Sequence, residues 1–154
     1  MKASTLRRLI NLWPPFLFTG IRAERISSDY REVEVVLNLR WYNRNYVGTH
    51  FGGSLFAMTD PWYMLMLMQR LGRDYYVWDR EASIEFLAPG RGRVRARFQI
   101  SDEQLADIRQ QTASGEKYLP RFGIDILDQQ NQVVARVSKT LYIRRKPDAR
   151  SAAA

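Results

Sequence analysis

No cysteine occurs in the 154 residues. That removes disulfides, thiolate nucleophiles and thiolate metal sites. There is a single histidine, His50. With one imidazole and no thiol, a zinc site lacks a ligand set, and no metal or other cofactor is expected. No run of eighteen apolar residues is present, so no segment reads as a membrane-spanning helix. The first twenty residues lack a signal-peptide pattern. Pro14 and Pro15 interrupt their apolar stretch, and no small-residue cleavage site follows. A cytoplasmic protein is expected. Phosphate-binding glycine loops are missing too: Pro89-Gly90-Arg91-Gly92 reads as a turn, and no G-x-G-x-x-G leads from a strand into a helix.

What is present fits one globular unit. The length suits a single domain over 1–146, with the polar tail 147–154 expected to be disordered. Hydrophobic residues make up 45% of the chain, enough for one core. Lys and Arg number 24 against 16 acids, a net charge of +8. A basic balance points to an anionic partner. The arginines are dispersed apart from Arg144-Arg145-Lys146, which speaks against nucleic acid and suits a phosphate-bearing coenzyme.

The periodicity gives an element order. Residues 4–12 form a short amphipathic helix stopped by Pro14 and Pro15. The apolar PPFLF that follows either packs on the body or forms a membrane-surface or ligand-mouth element. Two strands come next, and the second alternates Val33, Val35, Leu37 and Leu39. Residues 51–71 are apolar almost all round, the mark of a helix buried on most sides. Gly72 is its expected stop. Strands return at 82–87 and 93–100, then a short helix at 102–112, then strands at about 117–127 and 132–143. One buried helix and six alternating strands imply an α+β fold, an antiparallel sheet wrapped around a long central helix. The sheet's edges favour pairing with a second subunit.

The stretch NYVGTHFGGSLFAMTD, residues 45–60, carries the candidate chemistry. It holds Asn45, Gly48, Thr49, His50, a glycine pair at Gly52 and Gly53, and Asp60 in an apolar run. Together with WDREASIEFLAPGRG after the helix, it resembles the hotdog-fold acyl-CoA thioesterases of the phenylacetyl-CoA type, and more closely a poorly characterised branch of that superfamily. The resemblance implies that Gly52 N–H polarises a thioester carbonyl, that Asn45 helps orient it or its water, and that Asp60 activates water or attacks directly. It implies an acyl-CoA substrate and a homodimer or dimer of dimers. Gly53, Thr49, His50, Phe51 and Asp79 would border the substrate, and Arg91 and Arg93 are candidates for the coenzyme's phosphates. The family's histidine directly precedes the glycine pair. Here that position is Phe51, and His50 lies one residue earlier, about 100° around a helix start.

Plainer roles stand beside these. Asp60 before Pro61 suits a cap within a broken helix. The glycine pair suits close packing, Asp79 a turn, and His50 a loop hydrogen bond. Two rivals to a thioesterase follow: an acyl- or lipid-binding hotdog protein without turnover, and a membrane-surface or nucleic-acid binder.

Overall fold

The computed structural model describes residues 1–147. The expected disorder of the tail falls, apart from Pro147, outside the described residues. Two helices open the chain, α1 (Ala3–Leu12) and α2 (Pro14–Thr19), followed by β1 (Ile21–Ile26) and β2 (Glu32–Asn38). The central segment comprises α3 (Gly52–Ala57) and α4 (Trp62–Leu71). Then come β3 (Tyr75–Phe86), β4 (Arg93–Gln99), α5 (Asp102–Gln111), β5 (Arg121–Leu127) and β6 (Val133–Arg145). The six strands form one sheet in the order β1-β2-β4-β5-β6-β3, and every pairing is antiparallel.

Alternation builds the sheet's inner face. Val33, Val35 and Leu37 of β2 bury beside Val94, Ala96 and Phe98 of β4, and Phe122, Ile124 and Ile126 of β5 continue the layer. Met58, Trp62, Met66 and Leu67 of the central segment are fully buried against it. Trp62 lies between Phe16 and Phe98, with ring centroids 5.8 and 6.2 Å away. Burial of such side chains contributes about 1.5–3 kcal/mol each. Met68 is an exception to the all-round apolar burial expected of this helix, being exposed.

Three differences from the sequence reading have local causes. First, the prolines that end α1 also begin α2, at its first two positions. A missing N–H costs nothing there, and the ring's fixed φ already suits a helix. Phe16 of α2 plugs into the core while Phe18 stays exposed. Second, the central helix is broken. Pro61 cannot donate to the Ala57 carbonyl, and its ring crowds the preceding turn. The Asp60 N–H bonds to Ala57 O instead at 3.2 Å, and the Trp62 indole N–H bonds across the break to Met58 O at 2.9 Å. Third, β3 begins at Tyr75, seven residues before the expected 82. A register shift between Asp79 and Glu81 changes the parity, so Val77 and Asp79 share the inner side with Ala82 and Ile84.

Candidate active site

The loop before α3 is pinned by Asn45. Its Oδ1 accepts from the N–H groups of Val47 and Thr49 at 3.2 and 2.9 Å, and its Nδ2 donates to Thr49 Oγ1 and His50 O at 2.9 and 3.3 Å. An amide offers two acceptor and two donor sites, and all four are used. Asn45 therefore holds the loop rather than reaching for a ligand. Gly48 turns the chain at φ +78°, a conformation that side chains rarely adopt. Thr49 is buried.

His50 is buried as well, 3% exposed. Its N–H donates to Gly90 O at 3.0 Å, and its Nε2 meets Gly92 O at 2.9 Å. A carbonyl can only accept, so Nε2 carries the proton and Nδ1 is left as a buried lone pair without a partner. Burial pushes the His50 pKa below 6.5, and the Gly92 carbonyl opposes this. The ring ties the 45–51 loop to the Pro89–Gly92 turn, which is the loop role weighed from the sequence.

A cleft of about 550 Å³ opens between these loops, bordered by Asn45, His50, Gly52, Phe86 and Arg91. The first turn of α3 faces it. Phe51 is the N-cap and supplies no side-chain cap bond; the Ser54 N–H bonds to Phe51 O at 3.0 Å, while the N–H groups of Gly52 and Gly53 precede the first intrahelical bond. A Cβ at Gly52 would stand 2.8 Å from Phe86 Cζ, and one at Gly53 would collide with the Phe51 ring. Both glycines thus admit aromatic rings; helix–sheet packing was the alternative weighed for them from the sequence, and the Phe86 contact of Gly52 is of that kind. Phe51 itself is 57% exposed. Arg91 borders the cleft. Arg93 does not: it pairs with Glu24 at 2.5 Å and lines a separate hollow with Glu34 and Asp128.

Asp60 lies in another cleft, of about 250 Å³, formed by Trp13, Phe16, Gly53, Phe56 and Ala57. It does not cap α4. The N-cap of that helix is Pro61, which makes no side-chain cap bond. Instead Asp60 meets a residue the sequence reading overlooked, Lys139 on β6. The Asp60 side chain is 66% exposed while that of Lys139 is fully buried, and Nζ stands 3.3 Å from Asp60 Oδ1. Lys139 also donates to the Asp60 backbone carbonyl and stands 3.2 Å from Asp79 Oδ2. Asp79 is therefore an ion-pair partner rather than a turn residue. Burial raises its pKa above the usual 3.8; Lys139 opposes this and Asp60 reinforces it. The alternation of β6 carried a signal for Lys139, since Ala135, Val137, Leu141 and Ile143 all point inward. Among the described residues no group of three His, Cys, Asp or Glu side chains could hold a metal ion, and no helix is long and apolar enough to cross a membrane.

A six-stranded antiparallel sheet holding a broken central helix defines a hotdog fold. The chain belongs to the family called Domain of unknown function (DUF4442), whose model matches residues 2–143. No curated protein matches it. Solved structures share the fold. A Pseudomonas aeruginosa protein of unknown function, named a probable thioesterase, superposes with TM-score 0.81 at 20% identity, over 94% of this chain and 97% of that one. A thioesterase of Haemophilus influenzae superposes with TM-score 0.68 at 16% identity, over 94% and 92%. The E. coli PaaI protein, from the phenylacetic acid degradation operon, gives TM-score 0.63 at 17% identity, over 92% and 91%.

Proposed function

We propose that the protein hydrolyses the thioester of an acyl-coenzyme A, with Asp60 as the group that activates water or attacks the carbonyl. The observation that carries this is Asp60 itself, an exposed carboxylate held against a buried cation at the mouth of an apolar cleft. A buried carboxylate is costly unless it is paired and hydrogen-bonded. This one is paired but left open to a ligand. At the other end of α3 its first residue, Gly52, borders the larger cleft. Donors aimed at a developing oxyanion contribute roughly 3 kcal/mol to a transition state. Arg91 beside that cleft suits a coenzyme phosphate. Solved neighbours named as thioesterases support the same reading.

In one chain Gly52 and Asp60 open into different clefts. The five helical steps from Gly52 to Ala57 alone rise about 7.5 Å, whereas a carbonyl contacts its partners at about 3 Å. One thioester therefore meets both groups only where two chains come together, so the working form is a homodimer or a dimer of such dimers.

A panel of acyl-CoA thioesters with free-thiol detection tests the activity. Asp60→Asn keeps the volume and removes the base, and kcat/KM is expected to fall at least about a hundredfold, the lower range for acid–base catalysis, with the far-UV spectrum unchanged. Near-full turnover by this variant would exclude Asp60. The second reading, an acyl-binding protein without turnover, is favoured by one observation, the exposed Phe51 at the family's histidine position. Tight binding of acyl-CoA by the wild type with no thiol release would select it.

A further inference from the structure

Lys139 is the one lysine among the buried residues described. A buried ammonium persists only where charge and hydrogen-bonding capacity are both met. Its three N–H donors have three acceptors: the Asp60 carbonyl, Asp60 Oδ1 at 3.3 Å and Asp79 Oδ2 at 3.2 Å. The charged groups facing it are thus Asp60 from the helix break and Asp79 from β3. The flanking inward positions are apolar, Val137 and Leu141 on β6 and Phe122 on β5.

This arrangement exceeds what neutralisation requires. Asp79 alone would balance the charge. The contact to the Asp60 main chain does something else: it fixes the break between α3 and α4. The Asp60 carboxylate extends from that break into the cleft, and among the described residues its ion-pair partner is Lys139. We infer that Lys139 is a positioning residue for Asp60, clamping its backbone and orienting its carboxylate, with Asp79 holding the ammonium from behind. The inference rests on the reading of Asp60 as the reacting group and adds the element that places it. A 1 Å misplacement of a reacting group can cost about a hundredfold in rate, so a clamp on the main chain matters even though Lys139 never touches substrate.

Lys139→Met alone leaves two carboxylates facing each other, and its failure to fold would say nothing about positioning. The informative comparison is between Asp79→Asn and the double variant Asp79→Asn/Lys139→Met. They differ only in the ammonium, and neither buries an unpaired charge beside a second acid. Removing Lys139 in this background is expected to lower kcat at least about tenfold, the milder side of a positioning defect, with KM nearly unchanged. The carbon-13 chemical shifts of the Asp60 main-chain and side-chain carbonyl carbons give a readout that needs no turnover, because Lys139 donates to both oxygens. Both resonances are expected to move when the double variant removes that donor. Equal kcat and equal chemical shifts in the two variants would overturn the inference. If instead Asp60→Asn retains turnover, the proposed reaction at Asp60 fails, while the chemical shifts still decide whether Lys139 holds that residue.

Discussion

Among single residues, His50 gives the sharpest pH signature. Its folded pKa lies below 6.5 because the ring is buried, whereas an unfolded chain protonates near 6.5. Below that pH the unfolded state binds more protons than the folded one, so stability falls as pH drops through 6.5 and levels off below the folded value. We expect the melting temperature of the wild type to decline across this window. His50→Asn should lose that component, and an unchanged decline would assign it to other groups. Because Nε2 is committed to the Gly92 carbonyl, His50→Ala should reduce turnover less than Asp60→Asn does. An inflection in kcat/KM below 6.5 that vanishes in His50→Ala would contradict this. At this scale the sequence singled out the stretch 45–60 but not the contacts its side chains make. The glycine pair and Asp60 were visible from spacing. The full use of Asn45 within its own loop was not, since four hydrogen bonds over six residues depend on loop geometry that no periodicity encodes. Lys139 shares the inward parity of Val137 and Leu141, but a charge on a strand is read as facing water, and its partners Asp60 and Asp79 lie 79 and 60 residues earlier in the chain.

Among the elements, the edge strand β1 shows how the N-terminal helices stay attached. β1 pairs only with β2, and its outer side would present unpaired backbone groups. Asn11 of α1 meets them: its Nδ2 donates to Ala23 O at 3.0 Å, and its Oδ1 accepts from Ala23 N at 2.8 Å. The contact sits where the β1–β2 register shifts, between Ala23 and Arg25. Asn11→Ala should cost about 1–3 kcal/mol, two hydrogen bonds at roughly 0.5–1.5 each, measured by urea denaturation with an unchanged m-value. No loss of stability would mean that water replaces the amide. The α1–α2 pair also supplies Trp13 and Phe16 to the Asp60 cleft, so its detachment would open that cleft. The strands that alternate cleanly, β2, β4, β5 and β6, were legible from sequence. The first half of β3 was not. Tyr76 and Trp78 face solvent on an otherwise inward-reading run, with Trp78 stacked on Tyr142 of β6 at 4.1 Å between centroids, and the bulge after Asp79 breaks the period of two. The break in the central helix was foreshadowed by Pro61, but a run of apolar side chains on both sides of a proline reads as one element until the hydrogen bonds are traced.

For the molecule as a whole, the positive charge is spread over the outer sheet face and partly neutralised there, Arg97 by Glu34 and Arg136 by Asp125 at 3.7 and 2.6 Å. The separation of Gly52 and Asp60 into two clefts raises the larger question of assembly. If two chains lie across a two-fold axis, the Gly52 cleft of one protomer receives Asp60 of its partner, and each dimer holds two composite sites. A mixed dimer tests this. One chain carries Asp60→Asn and the other Gly52→Pro, which removes the N–H yet suits a helix start. The new Cβ would stand 2.8 Å from Phe86 Cζ, the far end of an exposed side chain that can swing aside. Each variant alone should be inactive as a homodimer. In the mixed dimer both defects fall in one site, and the other site is intact. Random exchange makes half of the dimers mixed, and each of these has one working site of two, so about a quarter of wild-type turnover should return on mixing. Size measurements must first show that both variants dimerise and exchange chains. Absence of recovery with mixed dimers present would place Gly52 and Asp60 in the service of one chain's own site, and the shared-site geometry would fail.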